Sequence, residues 1–388
     1  MMWTQEQEDI RALAREFAEG ELRPSSSVWD GAKQLDDEVF TKLSEVGFLG
    51  MLVPEEQGGL DFDVSTYLLV LEELAWGDAS VALSVAIHNG PVACLIGRYG
   101  TDSQRTRWLP AMAAGEVLGA FALSEPDAGS DAGAVAAVAE AGDGGWTLNG
   151  SKRWVTNGGR AGVVVLFAQT PEGLSAFLVE PSASGYVVGA REATMGLRAS
   201  ETVSVTLDGV EVGPESLLGE AGKGLAYALE ALDLGRAGVA AQAVGIGRAA
   251  MEHATRYALE REQFDQPIAH FGAIQVKLAE MATGITGARL LAHHAGAAIS
   301  AAASGAGHPR TGADGVTSRA AIAKLAASEA ATWSADEAVQ VFGGYGYMRH
   351  YPVEQLLRDA KGTEIYEGTN EILRHVIARE VLRDAAQG

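Results

Sequence analysis

Cysteine is almost missing. Cys94 is the only one in 388 residues, so no internal disulfide can form and a thiolate metal site is not expected. Positive charge is scarce as well. Lys and Arg number 29 against 51 Asp and Glu, a formal net charge of −22. Such a chain lacks the broad basic face that nucleic acid or an anionic membrane needs, although a few local arginines could still hold an anionic ligand. The opening residues, Met-Met-Trp-Thr-Gln-Glu-Gln-Glu-Asp, have neither the basic nor the apolar stretch of a secretory signal. No uncharged apolar run is expected to be long enough to span a bilayer. The expectation is therefore a soluble cytoplasmic protein with no nucleic-acid or membrane partner. His293 and His294 are adjacent on a helix and point to different faces, with no carboxylate at ligand spacing, so no metal is expected. No Ser/His/Asp arrangement stands out.

What is present is a globular composition, 47% hydrophobic and 21% charged, in a chain long enough for two or three domains. Thr4-Gln-Glu-Gln7 fits a helix capping box, followed by Ile10, Leu13, Phe17 and Leu22 at helical spacing. Asp36 is placed to cap a second helix and Asp63 a third, with more helix over 79–115. The pattern changes near Phe121. Asn149-Gly150 and Asp208-Gly209 lie between alternating apolar residues and read as hairpin turns. Val163–Phe167 and Ala176–Val179 read as short buried strands. From Gly224 helices return, over 224–260, about 272–302, about 316–341 and about 370–384. The loop 304–315 looks poor in side chains that could carry chemistry. These patterns divide the chain into an N-terminal helical domain (1–118), a central antiparallel β-domain (119–222) and a C-terminal four-helix bundle (223–388), an α+β architecture.

Several short constellations could carry chemistry. Ala122-Leu-Ser-Glu-Pro-Asp-Ala-Gly-Ser-Asp131 leaves a strand for a turn rich in hydroxyls and backbone donors, or is an acidic surface turn. Trp154 and Thr156 share one side of a strand, an aromatic face beside a hydroxyl that could flank a flat ring, or a Trp that fills the sheet. Asp233 and Arg236 stand at i,i+3 and can pair. Arg261 ends a helix, as a phosphate fork or a solvated cation. Gly343-Gly-Tyr-Gly closes an apolar helix but is no Walker sequence. Glu367 lies between Tyr366 and Gly368 in a short gap before the last helix. A carboxylate so placed is poorly solvated yet reachable, which suits a general base.

In this order the motifs resemble one family, the flavin-dependent acyl-CoA dehydrogenases, over essentially the whole chain. The similar segments are Leu-Ser-Glu-Pro-Asp-Ala-Gly-Ser-Asp (123–131), Trp-Val-Thr-Asn-Gly (154–158), Arg-Glu-Gln-Phe (261–264), Gln-Val-Phe-Gly-Gly (340–344) and Ile-Tyr-Glu-Gly-Thr (365–369). The resemblance implies helical, β and helical-bundle domains, a homotetramer built as a dimer of dimers, FAD, an acyl-CoA substrate and an electron-transferring flavoprotein as acceptor. By resemblance, Leu123, Ser124, Gly129, Ser130, Trp154, Val155 and Thr156 would bind the flavin end. Arg261, Phe264, Gln340, Gly343 and Gly344 would hold the rest of FAD across a subunit boundary, with Thr369 and Glu371 adding contacts. Ser130, Asp233, Arg236, Tyr366 and Gly368 would meet the substrate. Glu367 would abstract the α-proton while flavin N5 takes the β-hydride, giving the trans-2-enoyl-CoA.

Isovaleryl- and long-chain-type members place the base just before the arginine matching Arg236. Here that position is Gly235, so the chain resembles the short- and medium-chain arrangement. Alternatives are a branched-chain dehydrogenase, a flavin oxidase or monooxygenase, or a non-catalytic binding relative; Glu367 argues against the monooxygenase but not against oxygen as acceptor, and Glu367 with the acidic charge disfavours the non-catalytic relative. The family usually has an acidic then a basic residue where this chain has His350 and Gln355, which reads as the loss of one exposed interaction. Gly272 replaces a common glutamine at an FAD or dimer contact.

Overall fold

The computed structural model of the chain describes residues 3–304 and 309–387. Helix α1 (Gln5–Phe17) starts on the expected capping box, with Thr4 and Gln7 bonded reciprocally. α2 (Ser26–Ala32) was not anticipated from the sequence. α3 (Glu38–Glu45) does not use Asp36 as its cap. That carboxylate accepts from Trp29 Nε1 at 2.9 Å instead, and the cap position falls to Asp37, whose side chain bonds no helix amide. α4 (Val64–Gly77) does start on Asp63, which accepts from Thr66 N at 2.7 Å. α5 (Ala79–Ile87), a π-helical turn over His88–Ala93, α6 (Cys94–Tyr99) and α7 (Asp102–Ala113) follow.

The run Ala79–Tyr99 corrects one expectation. By length and composition it could cross a membrane, but 89% of its apolar window is buried within the protein. Within it the His88 ring meets Leu49 O and the Asn89 amide nitrogen donates to Phe48 O, while Ser84 Oγ and Asn89 Oδ1 are buried without a partner. It is a core helix.

Strands β1 (Gly119–Ala122), β2 (Val138–Gly142), β3 (Gly145–Thr156), β4 (Val163–Thr170), β5 (Gly173–Val179), β6 (Tyr186–Arg191), β7 (Thr202–Val212) and β8 (Leu217–Leu218) form one sheet. Its order is β6-β7-β3-β2-β4-β5-β8, with β1 also on β4. Most pairs are antiparallel, but β1 and β2 meet β4 in parallel. Neither expected hairpin turn exists. Asn149-Gly150 and Asp208-Gly209 lie inside β3 and β7, opposite one another, where two residues of β7 face one of β3. Gly209 takes φ +63° and donates to Asn149 Oδ1 at 2.8 Å. The left-handed propensity that suggests a turn here makes a β-bulge. The turn between β2 and β3 is Asp143-Gly144.

The C-terminal part contains α8 (Gly224–Glu260), α9 (Gly272–Ala303), α10 (Val316–Phe342), α11 (Pro352–Thr363) and α12 (Asn370–Gln387). α8, α9 and α10 pack on one another, and α11, which opens on Pro352, and α12 pack on α10. Of the loop expected over 304–315, residues 305–308 lie outside the described residues.

α8 organises the molecule. Its 37 residues rise about 55 Å and enter all three apolar cores. Tyr227, Ala228 and Ala231 join the sheet's core. Leu234, Ala237, Ala241 and Ala249 join that of the N-terminal helices. Ala240, Ala243, Val244 and Ile246 join the bundle's. Buried Glu72 and Glu73 of α4 fasten the junction through Arg248 of α8, Arg289 of α9 and Arg11 and Arg15 of α1.

A second junction fixes α11. Arg358 meets Asp30 of α2 at 2.9 Å, and Asp359 accepts from Leu197 N in the loop before β7. Gln355 is buried here and donates to Ser26 Oγ at 3.0 Å, while His350 is exposed. The pair is therefore not one lost surface interaction. Gln355 serves the α2–α11 contact.

Candidate active site

Glu367 lies between α11 and α12 with φ +56°, and Gly368 follows at +95°. A left-handed glutamate costs on the order of 1–3 kcal/mol, a strain that persists only where the surroundings impose it. They do. Arg236 Nε donates to Glu367 O at 3.3 Å, and Lys324 Nζ donates to Gly368 O at 2.8 Å and Asn370 Oδ1 at 3.0 Å. The turn drives the carboxyl inward. Oε2 is buried with no hydrogen-bond partner. Burial pushes the carboxyl up to about 7, against the opposing pull of Arg236 and Lys324.

The carboxyl faces Gly235 of α8. A Cβ built there would lie 2.8 Å from Cδ and Oε2 of Glu367. The base expected from 367 and a side chain at 235 would occupy the same space, so the glycine is a requirement of this arrangement. Asp233 and Arg236 pair at 3.1 Å, both buried, so this is no solvated helix ion pair. Asp233 also receives Thr317 Oγ1 at 2.8 Å and Arg310 at 3.2 Å. Burial raises its carboxyl pKa despite these partners. Arg310, from the loop expected to be poor in side chains that could carry chemistry, pairs with Glu230 at 2.8 Å as well as with Asp233. Tyr366 donates to Gln242 Oε1 at 2.6 Å, bracing the turn against α8.

The second part of the site is on the sheet. Between Lys152 and Val155 the register slips again, with two residues of β3 facing one of β7. Trp154 takes φ +56° in this bulge and is 55% exposed. It does not fill the sheet. Thr156 is partly exposed and Val155 fully buried. The neighbouring turn is pinned to the same strand: Arg153 N donates to Ser124 O at 2.9 Å, and Lys152 Nζ donates to Leu123 O at 3.2 Å and Glu125 Oε1 at 2.7 Å. Glu125 in turn accepts from the amides of Ala136 and Ala137. Lys152 is wholly buried. Leu123 and Ser124 are thus fixed beside the exposed indole, while Gly129 and Ser130 are exposed on the same turn.

The third group stands apart on the C-terminal helices. Arg261 lies 5.7 Å from the Tyr345 ring, next to Gly343 and Gly344. A Cβ on either glycine would meet nothing within 4 Å. Phe264 is 87% exposed and Gln340 is exposed. Thr369 and Glu371 open α12, and Gly272 opens α9 in open surroundings. Sequence reasoning missed Lys324, Gln242, Arg310 and Thr317. A lysine surrounded by Ala and Leu at 320–327 was the one available signal, since an isolated buried cation needs a partner.

The sheet face has the form a flavin ring needs: a flat exposed indole held out by a bulge, beside a turn with free backbone room. Three sequence models match in succession: "Acyl-CoA dehydrogenase, N-terminal domain" over 4–116, "middle domain" over 120–210 and "C-terminal domain" over 222–382. The chain is 42% identical to an acyl-CoA dehydrogenase of Bacillus subtilis (strain 168), covering 98% of each. It is 40% identical to the mitochondrial short-chain specific acyl-CoA dehydrogenase of Bos taurus, over 96% of this chain and 89% of that one. It is also 42% identical to an acryloyl-CoA reductase (NADH) of Anaerotignum propionicum, over 98% and 95%.

Among solved structures, butyryl-CoA dehydrogenase from Megasphaera elsdenii superposes with a TM-score of 0.93 at 40% identity, over 99% of this chain and 100% of that one. A chain from work on the electron transferring flavoprotein of Acidaminococcus fermentans gives 0.94 at 40%, with the same coverage. Domain by domain and along nearly its whole length, this chain belongs to the acyl-CoA dehydrogenase family, oxidoreductases that work with FAD.

Proposed function

We propose that the protein converts a short, straight-chain acyl-CoA thioester to the trans-2-enoyl-CoA, with Glu367 as the base. The observation that carries this is the Glu367 carboxyl, whose Oε2 is buried without a hydrogen-bond partner, raised to about 7 and facing a bare Gly235. An α-proton beside a thioester is weakly acidic, and a desolvated carboxylate with a raised pKa is matched to taking it near neutral pH. In this reading the Glu367 N–H donates to the thioester oxygen as negative charge develops there. Arg236 and Arg310, both gathered by Asp233, supply positive charge for the CoA portion, with Ser130 and Gly368 at its edges. FAD, when bound, supplies the acceptor for the β-hydride. Leu123, Ser124, Val155, Trp154 and Thr156 hold its ring end. Arg261, Phe264, Gln340, Gly343 and Gly344 present the second seat, which we assign to the FAD of a neighbouring subunit in a homotetramer; Thr369 and Glu371 add to it. An electron-transferring flavoprotein is the proposed acceptor, and the cytoplasm the proposed location. The Acidaminococcus likeness supports the partner.

The test is anaerobic mixing with a panel of acyl-CoAs while flavin bleaching is followed. Butyryl-CoA is expected to bleach it, and the rate to rise as pH increases through about 7, because the base works deprotonated. For stability the sign is opposite. A carboxyl raised above its ordinary value favours the fold most below that value, and the benefit is lost as pH rises through about 7. A protein that no saturated thioester bleaches, but that oxidises NADH with an enoyl-CoA, would support instead the reductase reading suggested by the Anaerotignum relative.

Gly235→Ala tests the shared space. The new methyl must push the carboxylate aside, and a displacement of this size costs roughly 10²-fold in rate. The glutamate end is flexible, so thermal stability should change little. An unchanged bleaching rate would show that the carboxylate does not work in the position described.

A further inference from the structure

Beyond the base, the same face of α8 continues with a second bare position. Gly238 lies one turn after Gly235, about 4.5 Å further along the axis. A Cβ there would lie 3.5 Å from the Tyr67 hydroxyl, 3.5 Å from Leu71 Cδ1 and 4.0 Å from Ala86 Cβ. Gly90, in the π-helical turn, faces the same hydroxyl: its Cβ would lie 3.2 Å away, with Leu234 next at 3.9 Å. Two glycines on different helices thus make room for one phenol. Tyr67 is 1% exposed, and its hydroxyl donates to Ala86 O at 3.2 Å. The ring cannot swing away without leaving that bond and entering packed Leu71. One turn further on, Gln242 is closed off by the Tyr366 hydroxyl.

This order has a consequence for substrate length. CoA-directed charge lies at Asp233 and Arg236, the base opposite Gly235, the phenol opposite Gly238, and the Gln242–Tyr366 bond beyond. An extended acyl chain gains roughly 1.3 Å per carbon, from bonds of about 1.5 Å. With its α-carbon at Glu367, a four-carbon acyl group reaches two carbons further, which with a methyl radius fills about one helical turn. Longer chains arrive at the phenol.

We infer that Tyr67, admitted by Gly90 and Gly238, is the end wall of the acyl channel and sets the protein's preference for acyl groups of about four carbons. The inference rests on the dehydrogenase reading above. A polar hydroxyl facing the channel does not soften this wall, since its proton is committed to Ala86 O.

The experiment compares butyryl-, hexanoyl- and octanoyl-CoA in wild type, Tyr67→Ala, Tyr67→Leu and Tyr67→Phe, measuring kcat/KM and the rate of flavin bleaching. In Tyr67→Ala the octanoyl-to-butyryl ratio of kcat/KM should rise by at least roughly tenfold. Tyr67→Leu should move it in the same direction by less, and serves if the alanine variant loses its flavin. Tyr67→Phe keeps the ring and should leave the ratio within about twofold of wild type, a result that a general loosening of the core by any change at 67 would not give. An unchanged ratio in Tyr67→Ala or Tyr67→Leu that still bleaches with butyryl-CoA overturns the inference alone. A wild type that no straight-chain thioester bleaches overturns the dehydrogenase reading and, with it, this inference.

Discussion

Glu367→Gln should keep FAD and bind acyl-CoA, yet lower the rate of flavin bleaching by about 10²–10⁴-fold or more. Glutamine has the shape of the glutamate, so it fits the space that Gly235 leaves open. It accepts no proton. No neighbour can take over. Position 235 has no side chain, Tyr366 is committed to Gln242, and Asp233 is held by Arg236, Arg310 and Thr317. The variant should be at least as stable as the parent above neutral pH, because a carboxylate that is costly to bury has been replaced by a neutral group. Stopped-flow bleaching beside a denaturation curve separates the two effects. Near-normal bleaching would mean that the base lies elsewhere.

Lys152→Met should have the largest effect on the protein as a container for FAD. The lysine is wholly buried, and burial brings its pKa down to about 8, with Glu125 opposing, so it remains mostly charged at neutral pH. It is the single bolt between the 123–125 turn and β3 that combines a charge pair with a backbone bond. Removing one partner of a buried pair leaves the other uncompensated and costs about 3–5 kcal/mol. Leu123 and Ser124 then lose their fixed position relative to Trp154, so flavin should be lost on gel filtration. The double variant Lys152→Met/Glu125→Gln should recover part of the stability, since no charge is stranded. If the single variant retains both its denaturation midpoint and its flavin, the pair is not what holds the turn.

Much of the fold was legible from local chemistry. Thr4 and Asp63 cap the helices they were expected to cap, because a capping side chain bonds its own neighbours and needs no tertiary information. Gly224–Glu260 is visible as a long run rich in Ala and Leu, with few breakers apart from glycines. Other signals were real but served another purpose. In Asn149-Gly150 and Asp208-Gly209 the glycines carry positive φ, and the sheet uses it for a bulge between two long strands. Asp36 is a good cap by type, but the Trp29 indole claims it. Position and sequence cannot decide such competitions, because the rival partner comes from packing.

The site divides in the same way. Glu367, Trp154, Asp233 and Arg236 were legible as residue types in suggestive places. Their meaning was not. The carboxylate's collision with position 235 joins residues 132 apart in the chain, and Lys324, Gln242 and Arg310 come from helices and loops that only folding brings close. Gln355 makes the same point: the expectation of an exposed contact failed because α2, which buries it, was not foreseen.

The placement of α8 in three cores also bears on how the chain acquires its structure during synthesis. The N-terminal helices would emerge from a ribosome well before Leu234, Ala237, Ala241 and Ala249, which complete their core. Until then the face of α4 that will meet α8 has no covering. Buried Glu72 and Glu73 lack Arg248 and Arg289 for the same interval. The first hundred residues therefore have to wait, partly assembled, for a segment more than a hundred residues behind them, and during that wait a chaperone would find apolar surface to hold.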